Sequence, residues 1–482
     1  MKKTLLLLCA AFCMAQTMFA LTIEADKYYT IKAINDSSPY MADNMADDKM
    51  ISLVSSPTAS AYWTFIPTGT SNCYYIRNFK TGRYIQGYST VGSDDNPVKV
   101  LMGDDPKEYQ IEEKFEGRFG FSYTSNTTHD FTSGTWGLNP RANEYVQVWG
   151  AVSGSNPRSF WTLTEVDVLA NYVFTIKNYA DGSLYLKDIE VDNIKTGNLD
   201  KACLWQFVAA GGNQYYVKNI LTSRYIQECS GDIEKYVKMG ENPVAYVIKD
   251  CGSKGFGLTS ANHNNTGFNS QSCIGLNARS GSNDVQSYYA QAGTNNRSFW
   301  KFTEYQPQAI DESGYASYGN TTEDVIILGA QAYKGTAGTS WLSLSEVSDV
   351  PANNGVIIKG SLYAVASKTA NADMTGNSLL VSDGTVTGDG TSYALSTLNG
   401  TAEVGFYPVG NGVTIPAGKA YLSLSGGSVK GFTFVFEDDA TSIQTIDNGQ
   451  QTTDAAIYNL AGQRISKMQK GINIINGKKV LY

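Results

Sequence analysis

A long stretch of this chain is written twice. Tyr74-Tyr75-Ile76-Arg77-Asn78 with Arg83-Tyr84-Ile85-Gln86 returns as Tyr215-Tyr216-Val217-Lys218-Asn219 with Arg224-Tyr225-Ile226-Gln227. Gly137-Leu138-Asn139 returns as Gly275-Leu276-Asn277, and Arg158-Ser159-Phe160-Trp161 as Arg297-Ser298-Phe299-Trp300. The offsets between these matches are nearly equal, so the copies run in step. A duplicated module without an evident catalytic centre points to binding, and two weak sites act together when one partner spans them.

Each copy also repeats inside itself. An aromatic residue flanked by strand-forming residues closes each third: Trp63, Tyr109 and Trp161 in the first copy, Trp205, Tyr246 and Trp300 in the second. Units of this length, about 50 residues, cannot bury an apolar face alone and must pack on their neighbours. Three units of about four short strands are expected to close into a small barrel capped by hairpins, which removes exposed sheet edges. The six closing aromatics are expected inside.

Composition agrees with short strands joined by tight turns. There are 47 glycines and 31 tyrosines, and runs such as Tyr28-Tyr29-Thr30-Ile31-Lys32 read as half-buried strands. No long helical periodicity follows residue 20. The first twenty residues read as a secretory signal: Lys2 and Lys3, an apolar run from Leu5 to Cys13, and a small residue at Ala20. That run is too short to span a membrane as a helix. Phe12 is bulky where a lipoprotein signal would place a small residue before Cys13. Removing the signal leaves 35 basic against 45 acidic side chains, a net charge of −10. An acidic surface argues against nucleic acid and anionic membranes as partners. Five cysteines remain, Cys73, Cys203, Cys229, Cys251 and Cys273, an odd number that leaves at least one thiol unpaired within the chain. Either Cys229 and Cys251 bridge or all five are buried free thiols. The spacings do not suit zinc.

The expected organisation is a signal at 1–20, a first module at 21–166, a second at 170–305 and an all-β, sandwich-like domain at 306–440. A polar spacer at 441–455 and a strand-rich tail at 456–482 complete it. The third domain is marked by strand-like runs such as Gly355-Val356-Ile357-Ile358-Lys359 between glycine turns, which suggests an antiparallel sandwich. Asn476-Gly477 between two apolar runs is a hairpin signal.

The two copies resemble β-trefoil modules of the ricin-B-like lectin type, through the sixfold aromatic closure and the threefold rhythm across 21–166 and 170–305. They depart from that pattern in lacking its Cys-Leu-Asp strand, and its Gln-x-Trp signature survives only as the closing aromatic. The third repeats look like trefoil modules common in secreted Bacteroidetes proteins. Residues 306–440 resemble an all-β domain found near the end of such proteins, through Gly314-Tyr315-Ala316-Ser317, Val350 to Gly360 and Gly405-Phe406-Tyr407-Pro408-Val409. The tail resembles the C-terminal sorting signal of the type IX secretion system, through Tyr458-Asn459-Leu460-Ala461-Gly462-Gln463 and Gly471-Ile472-Asn473-Ile474. That resemblance implies passage across the outer membrane with secretion machinery as a partner, the tail being cleaved or used for anchoring.

The resemblance implies sugar binding. In ricin-like lectins an acid after the apolar residue of the second strand bonds sugar hydroxyls, and a later aromatic stacks on the ring. Here those positions hold Asn139 and Asn277 in the third repeats and Gln86 and Gln227 in the second repeats. Amides both donate and accept. The candidate ligand-binding sets are Asn139, Arg141, Gln147 and Trp149, and their partners Asn277, Arg279, Gln286 and Tyr288. The alternative is that these residues only stabilise turns and the barrel floor. His129 and His263 precede the two Gly-Leu-Asn strands and are read either as site residues or as loop residues satisfying backbone groups. No nucleophile elbow, zinc helix or phosphate loop is present, and no cofactor is expected. Acids are plentiful enough for a glycosidase pair, but closed barrels offer no large cleft. The expected function is a secreted or surface-exposed, non-enzymatic, glycan-binding protein. A structural or adhesive protein whose trefoils bind protein, or a trefoil protease inhibitor, stands as the alternative.

Overall fold

The computed structural model describes residues 23–481 except 26, 35–38, 46–48, 94, 116, 126–130, 132–133, 142–143, 153–155, 263–272, 292–293, 398–402, 425–428, 438–443, 446–456, 460–462, 471 and 476–477. The expected signal at 1–20 and both histidines, His129 and His263, lie outside the described residues. The described chain is almost entirely β, and none of its helices is long and apolar enough to cross a membrane. It divides into two compact units, residues 1–171 and 172–482.

In the first unit six strands close on themselves. Tyr28–Ala33 pairs with Tyr62–Pro67, that strand with Cys73–Asn78, and so on through Glu108–Phe115, Arg118–Tyr123 and Phe160–Val166, which returns to Tyr28–Ala33. Three hairpins cap the ring: Tyr40–Ala42 with Ser52–Val54, Tyr84–Ile85 with Met102–Gly103, and Trp136–Arg141 with Tyr145–Gly150. The second unit begins with the same figure. Its ring is Val173–Asn178, Leu204–Gly211, Gln214–Asn219, Ala245–Asp250, Phe256–Ser260 and Trp300–Tyr305. Its hairpins are Tyr185–Lys187 with Lys195–Gly197, Tyr225–Ile226 with Met239–Gly240, and Ile274–Ala278 with Val285–Tyr289. A six-stranded barrel under three hairpins is a β-trefoil, and the chain contains two. A single helical turn, Val168–Asn171, lies between the rings in sequence.

The six closing aromatics are all at 0% exposure. Each is also hydrogen-bonded to the hairpin of its own repeat. Trp63, Trp161, Trp205 and Trp300 donate their indole N–H to the carbonyls of Met41, Leu138, Leu186 and Leu276 at 2.9, 2.9, 2.9 and 3.0 Å. Tyr109 and Tyr246 donate their hydroxyls to the carbonyls of Gln86 and Gln227 at 2.7 and 2.6 Å. A buried indole or phenol needs such a partner, and the hairpin carbonyl supplies it.

A second device ties first and second repeats together. The carboxylate of Asp43, fully buried, receives Arg83 Nε at 2.9 Å and Nη2, with the hydroxyl of Thr81. Asp188, Arg224 and Thr222 repeat the arrangement in the second copy, with Nε again at 2.9 Å. The fork of arginine matches both carboxylate oxygens.

The rest of the second unit is a nine-stranded sheet whose edge strands are Tyr315–Asn320 and Leu380–Val381, with a three-stranded layer of Gln308–Ala309, Leu362–Ser367 and Val325–Leu328. One pair departs from the antiparallel sandwich expected: Trp341–Val347 runs parallel to Phe432–Phe436. Ile326, Leu328, Ala364 and Ala366 pack with Val173, Leu204 and Ile220 of the second trefoil in one buried cluster. Gly329 makes the approach possible. Its φ is +80°, and a Cβ there would meet Leu204 Cδ2 at 2.7 Å and Ile220 Cγ2 at 2.8 Å. The second trefoil and the sandwich thus share a core within one unit. The corresponding face of the first trefoil carries Tyr28, Tyr62 and Phe79 instead, with Tyr28 and Phe79 edge-to-face at 5.1 Å.

In the tail, Ile472–Ile475 pairs antiparallel with Lys478–Leu481, Ile475 opposite Lys478, and Asn476-Gly477, expected to turn the hairpin, lie outside the described residues. Gln444–Thr445, from the segment expected to be a spacer, adds a parallel strand to the same sheet. All five cysteines among the described residues are free thiols, Cys229 and Cys251 included. Burial pushes the Cys273 thiol up to about 11.

Two outcomes follow from the closing aromatics. Trp63→Ala or Trp205→Ala should destabilise its trefoil by about 3–5 kcal/mol in denaturant unfolding, through a cavity and an orphaned carbonyl. Burial holds the phenols of Tyr109 and Tyr246 well above their ordinary value of 10.0. Their contribution to stability is complete below that value and lost as pH rises through the folded-state values. Circular dichroism above about pH 10 should show stability falling more steeply with pH in the native chain than in the Tyr109→Phe/Tyr246→Phe variant.

Candidate functional site

Strand alternation sorts the third-repeat hairpins into two faces. In the first copy Leu138, Val146 and Val148 point into the barrel, and Asn139, Arg141, Gln147 and Trp149 share the other face. In the second, Leu276 and Val285 point inward, and Asn277, Arg279, Gln286 and Tyr288 share the outer face. Asn139 sits opposite Gln147, and Asn277 opposite Gln286. Gly137 and Gly275 sit opposite the aromatics Trp149 and Tyr288.

The amides are buried and linked in a relay. In the second copy Gln286 Nε2 donates to Asn277 Oδ1 at 3.1 Å, Asn277 Nδ2 donates to Ser298 Oγ at 2.9 Å, and Ser298 Oγ donates to the Tyr289 carbonyl at 2.8 Å. The first copy has the same relay: Gln147 to Asn139 at 3.1 Å, Asn139 to Ser159 at 3.0 Å, and Ser159 to the Gly150 carbonyl at 2.8 Å. The polarity is fixed from the far end. A carbonyl only accepts, so the serine hydroxyl must donate to it and accept from the asparagine NH2. The asparagine oxygen then faces the glutamine NH2, and the glutamine Oε1 is left at the head, calling for a donor.

The two heads differ. Arg141 Nη1 donates to Gln147 Oε1 at 3.2 Å. In the second copy Arg279 Nη1 donates instead to the Tyr236 hydroxyl at 3.0 Å, its guanidinium 5.3 Å from the centre of that ring. Gln286 Oε1 has no hydrogen-bond partner among the described residues, and it is screened from solvent. An unmade bond of this kind costs about 1–3 kcal/mol.

A cavity of about 470 Å³ opens at this head, lined by Asn277, Arg279, Gln286, Tyr288, Glu234, Asn295, Asn296 and Arg297 among others. Tyr288 is half-buried and presents an aromatic wall. Glu234 holds a left-handed backbone, φ +62°, and its N–H donates to the Ser287 carbonyl at 2.7 Å. Arg297 Nη1 lies 3.4 Å from the carbonyls of Ala278 and Arg279, and Nη2 3.9 Å from Asp181. The carboxyl of Asp181 is held below its ordinary value chiefly by the hydroxyl of Ser183.

All eight residues expected from sequence therefore lie on the two outer faces, and in each copy the amide pair is brought into contact. Arg279 is drawn away from the amides. The structure adds Ser159 and Ser298, which anchor the relays, and Tyr236, Glu234 and Arg297. The serines were signalled by the repeated Arg-Ser-Phe-Trp quartet. Nothing in the sequence signalled Tyr236, because the strand it occupies carries Lys99 at the matching place in the first copy.

The second repeats give no such site. Gln86 Nε2 donates to the carbonyls of Tyr84 and Asp105 at 3.2 and 2.8 Å, and Gln227 Nε2 to those of Tyr225 and Asn242 at 3.1 and 2.8 Å. Each lies across a glycine whose Cβ would come within 2.7 Å of its Cδ, Gly103 and Gly240. These glutamines lock loops. Among the described residues no three His, Cys, Asp or Glu side chains cluster as a metal site.

No protein-family model matches this chain. No curated protein matches it either. Among solved structures it is similar to a ricin B-like lectin of Macrolepiota procera in complex with lactose, at 19% identity over 30% of this chain and 100% of that one, TM-score 0.25. It is similar to the designed threefold-symmetric protein ThreeFoil, at 11% identity over 29% of this chain and 99% of that one, TM-score 0.23. The agglutinin from Abrus precatorius matches at 9% identity over 58% of this chain and 98% of that one, TM-score 0.22. The trefoil assignment itself rests on the closed rings and capping hairpins.

Proposed function

We propose that this chain is a secreted, non-enzymatic glycan-binding protein whose sugar site is the third-repeat cavity of its second trefoil. The observation that carries the reading is Gln286 Oε1, a buried acceptor with no donor among the described residues, at the mouth of a relay whose polarity cannot be reversed. A sugar hydroxyl supplies the missing donor. The face of Tyr288 supplies an apolar platform for the ring's C–H groups, and Arg297 and Asn296 also line the cavity. Arg279 and Tyr288, both half-buried, also line the cavity at this head. The first trefoil's relay is already completed by Arg141, so its outer face serves the hairpin rather than a ligand.

Secretion is the second part of the proposal. It rests on the signal at 1–20 and on the sorting-signal character of the tail, whose strands form their own five-stranded sheet with Gln444–Thr445.

A glycan array probed with residues 21–482 tests the first part. Tyr288→Ala and Asn277→Ala should each weaken retention about tenfold or more, the equivalent of about 1.4 kcal/mol, and Trp149→Ala should leave it unchanged. Equal retention by a folded Tyr288→Ala/Asn277→Ala variant would favour trefoils that contact protein. For the second part, deleting residues 456–482 should leave a folded protein in the periplasm. Normal export of the shortened chain would remove the sorting role.

A further inference from the structure

The two trefoils share one relay and differ at its head, and one residue accounts for the difference. Tyr236 pairs with Gln286 across neighbouring strands of the second copy. In the first copy the pairing partner of Gln147 is Lys99. Tyr236 offers a ring face and a hydroxyl acceptor, and Arg279 takes both. Lys99 offers neither. It is a cation, its Nζ is 5.1 Å from the centre of the Tyr145 ring, and it repels a guanidinium. Arg141 accordingly turns onto Gln147 Oε1.

We propose that Tyr236 is a positioning residue that holds Arg279 off Gln286 and so keeps the second trefoil open to a sugar hydroxyl, while Lys99 leaves Arg141 to close the first. The ligand class is a neutral or acidic sugar that brings a hydroxyl donor to Gln286, and the proposal rests on the glycan reading above. The chain then has one competent pocket of this type, not two. The duplication keeps the relay in both copies because the relay also anchors the hairpin through Ser159 and Ser298. Ligand binding depends on what occupies the head.

Both Lys99 and Tyr236 are exposed, so exchanging them spares the core. The test titrates the whole mature chain calorimetrically with lactose, N-acetylglucosamine and N-acetylneuraminic acid in turn. The native chain should bind a sugar at one site. Tyr236→Lys should weaken that binding tenfold or more, and Lys99→Tyr should raise the stoichiometry from one to two. Tyr236→Lys/Arg279→Ala should bind as well as Arg279→Ala alone, because the closing arginine is gone. A direct contact of Tyr236 with the sugar would instead leave the double variant weaker than Arg279→Ala. Two sites in the native chain, or full binding by Tyr236→Lys, would overturn the proposal and leave the glycan reading standing. The arginine positions are read without ligand from the Nε–Hε resonances. The Arg279 signal, shifted by the Tyr236 ring, should move in Tyr236→Lys. An unmoved signal overturns the positioning role. Absence of binding by every sugar, with the signal moving as expected, overturns the glycan reading and removes the gate's ligand, while Tyr236 remains the residue that parks Arg279.

Discussion

Six hydrogen bonds from buried aromatic rings to hairpin carbonyls hold both trefoils in register. Each comes from the strand that closes a repeat and ends on the hairpin that caps the same repeat, as with Trp161 on Leu138 and Trp300 on Leu276. The ring must be buried to fill the barrel, and its N–H or O–H must then be satisfied. In the third repeats the carbonyl it selects lies immediately before the amide, so closing the barrel also fixes where Asn139 and Asn277 stand. The outer face is therefore rigid for reasons that have nothing to do with ligand. A site needs such backing, since its polar groups must hold their positions without the ligand's help.

On that rigid base the amide relay sets a direction. Tyr289 and Gly150 contribute carbonyls that accept only, and every link outward inherits the constraint. The result in both copies is an oxygen at the head. Duplication thus supplies the same relay twice, and the difference at its head is assigned, in the proposal above, to neighbours on an adjoining strand. The same economy appears elsewhere. The face that carries Val173, Leu204 and Ile220 in the second trefoil packs against the sandwich, and its equivalent in the first carries Tyr28, Tyr62 and Phe79. Structural features are kept in both copies, and surface features diverge.

Much of this was legible in the sequence. The closing aromatics pointed to threefold barrels, because a Trp or Tyr that recurs so evenly among strand formers must be buried by each unit in turn. The Gly-Leu-Asn and Arg-Ser-Phe-Trp repeats located the outer face. Three things were not legible. The pairing of Asp43 with Arg83 and of Asp188 with Arg224 joins different repeats, and a sequence does not reveal which of many charges meet. The shared core between the second trefoil and the sandwich depends on a close approach at Gly329 that looks like any other turn glycine. The different partners of Arg141 and Arg279 go with Lys99 in one copy and Tyr236 in the other, which lie in short strands of low similarity. Gln86 and Gln227 illustrate the opposite case, and neither was among the candidate binding residues. They match the sugar-binding position by count, yet their amides are spent on the carbonyls of Asp105 and Asn242.

The most direct test of the account is a crystal structure of the whole mature chain grown with a sugar that it binds. The account requires a sugar hydroxyl within hydrogen-bond distance of Gln286 Oε1, the ring against Tyr288, and Arg141 still on Gln147 with no sugar beside it. A sugar on the outer face of the first trefoil, or one held elsewhere with Gln286 Oε1 still unpaired, would contradict it.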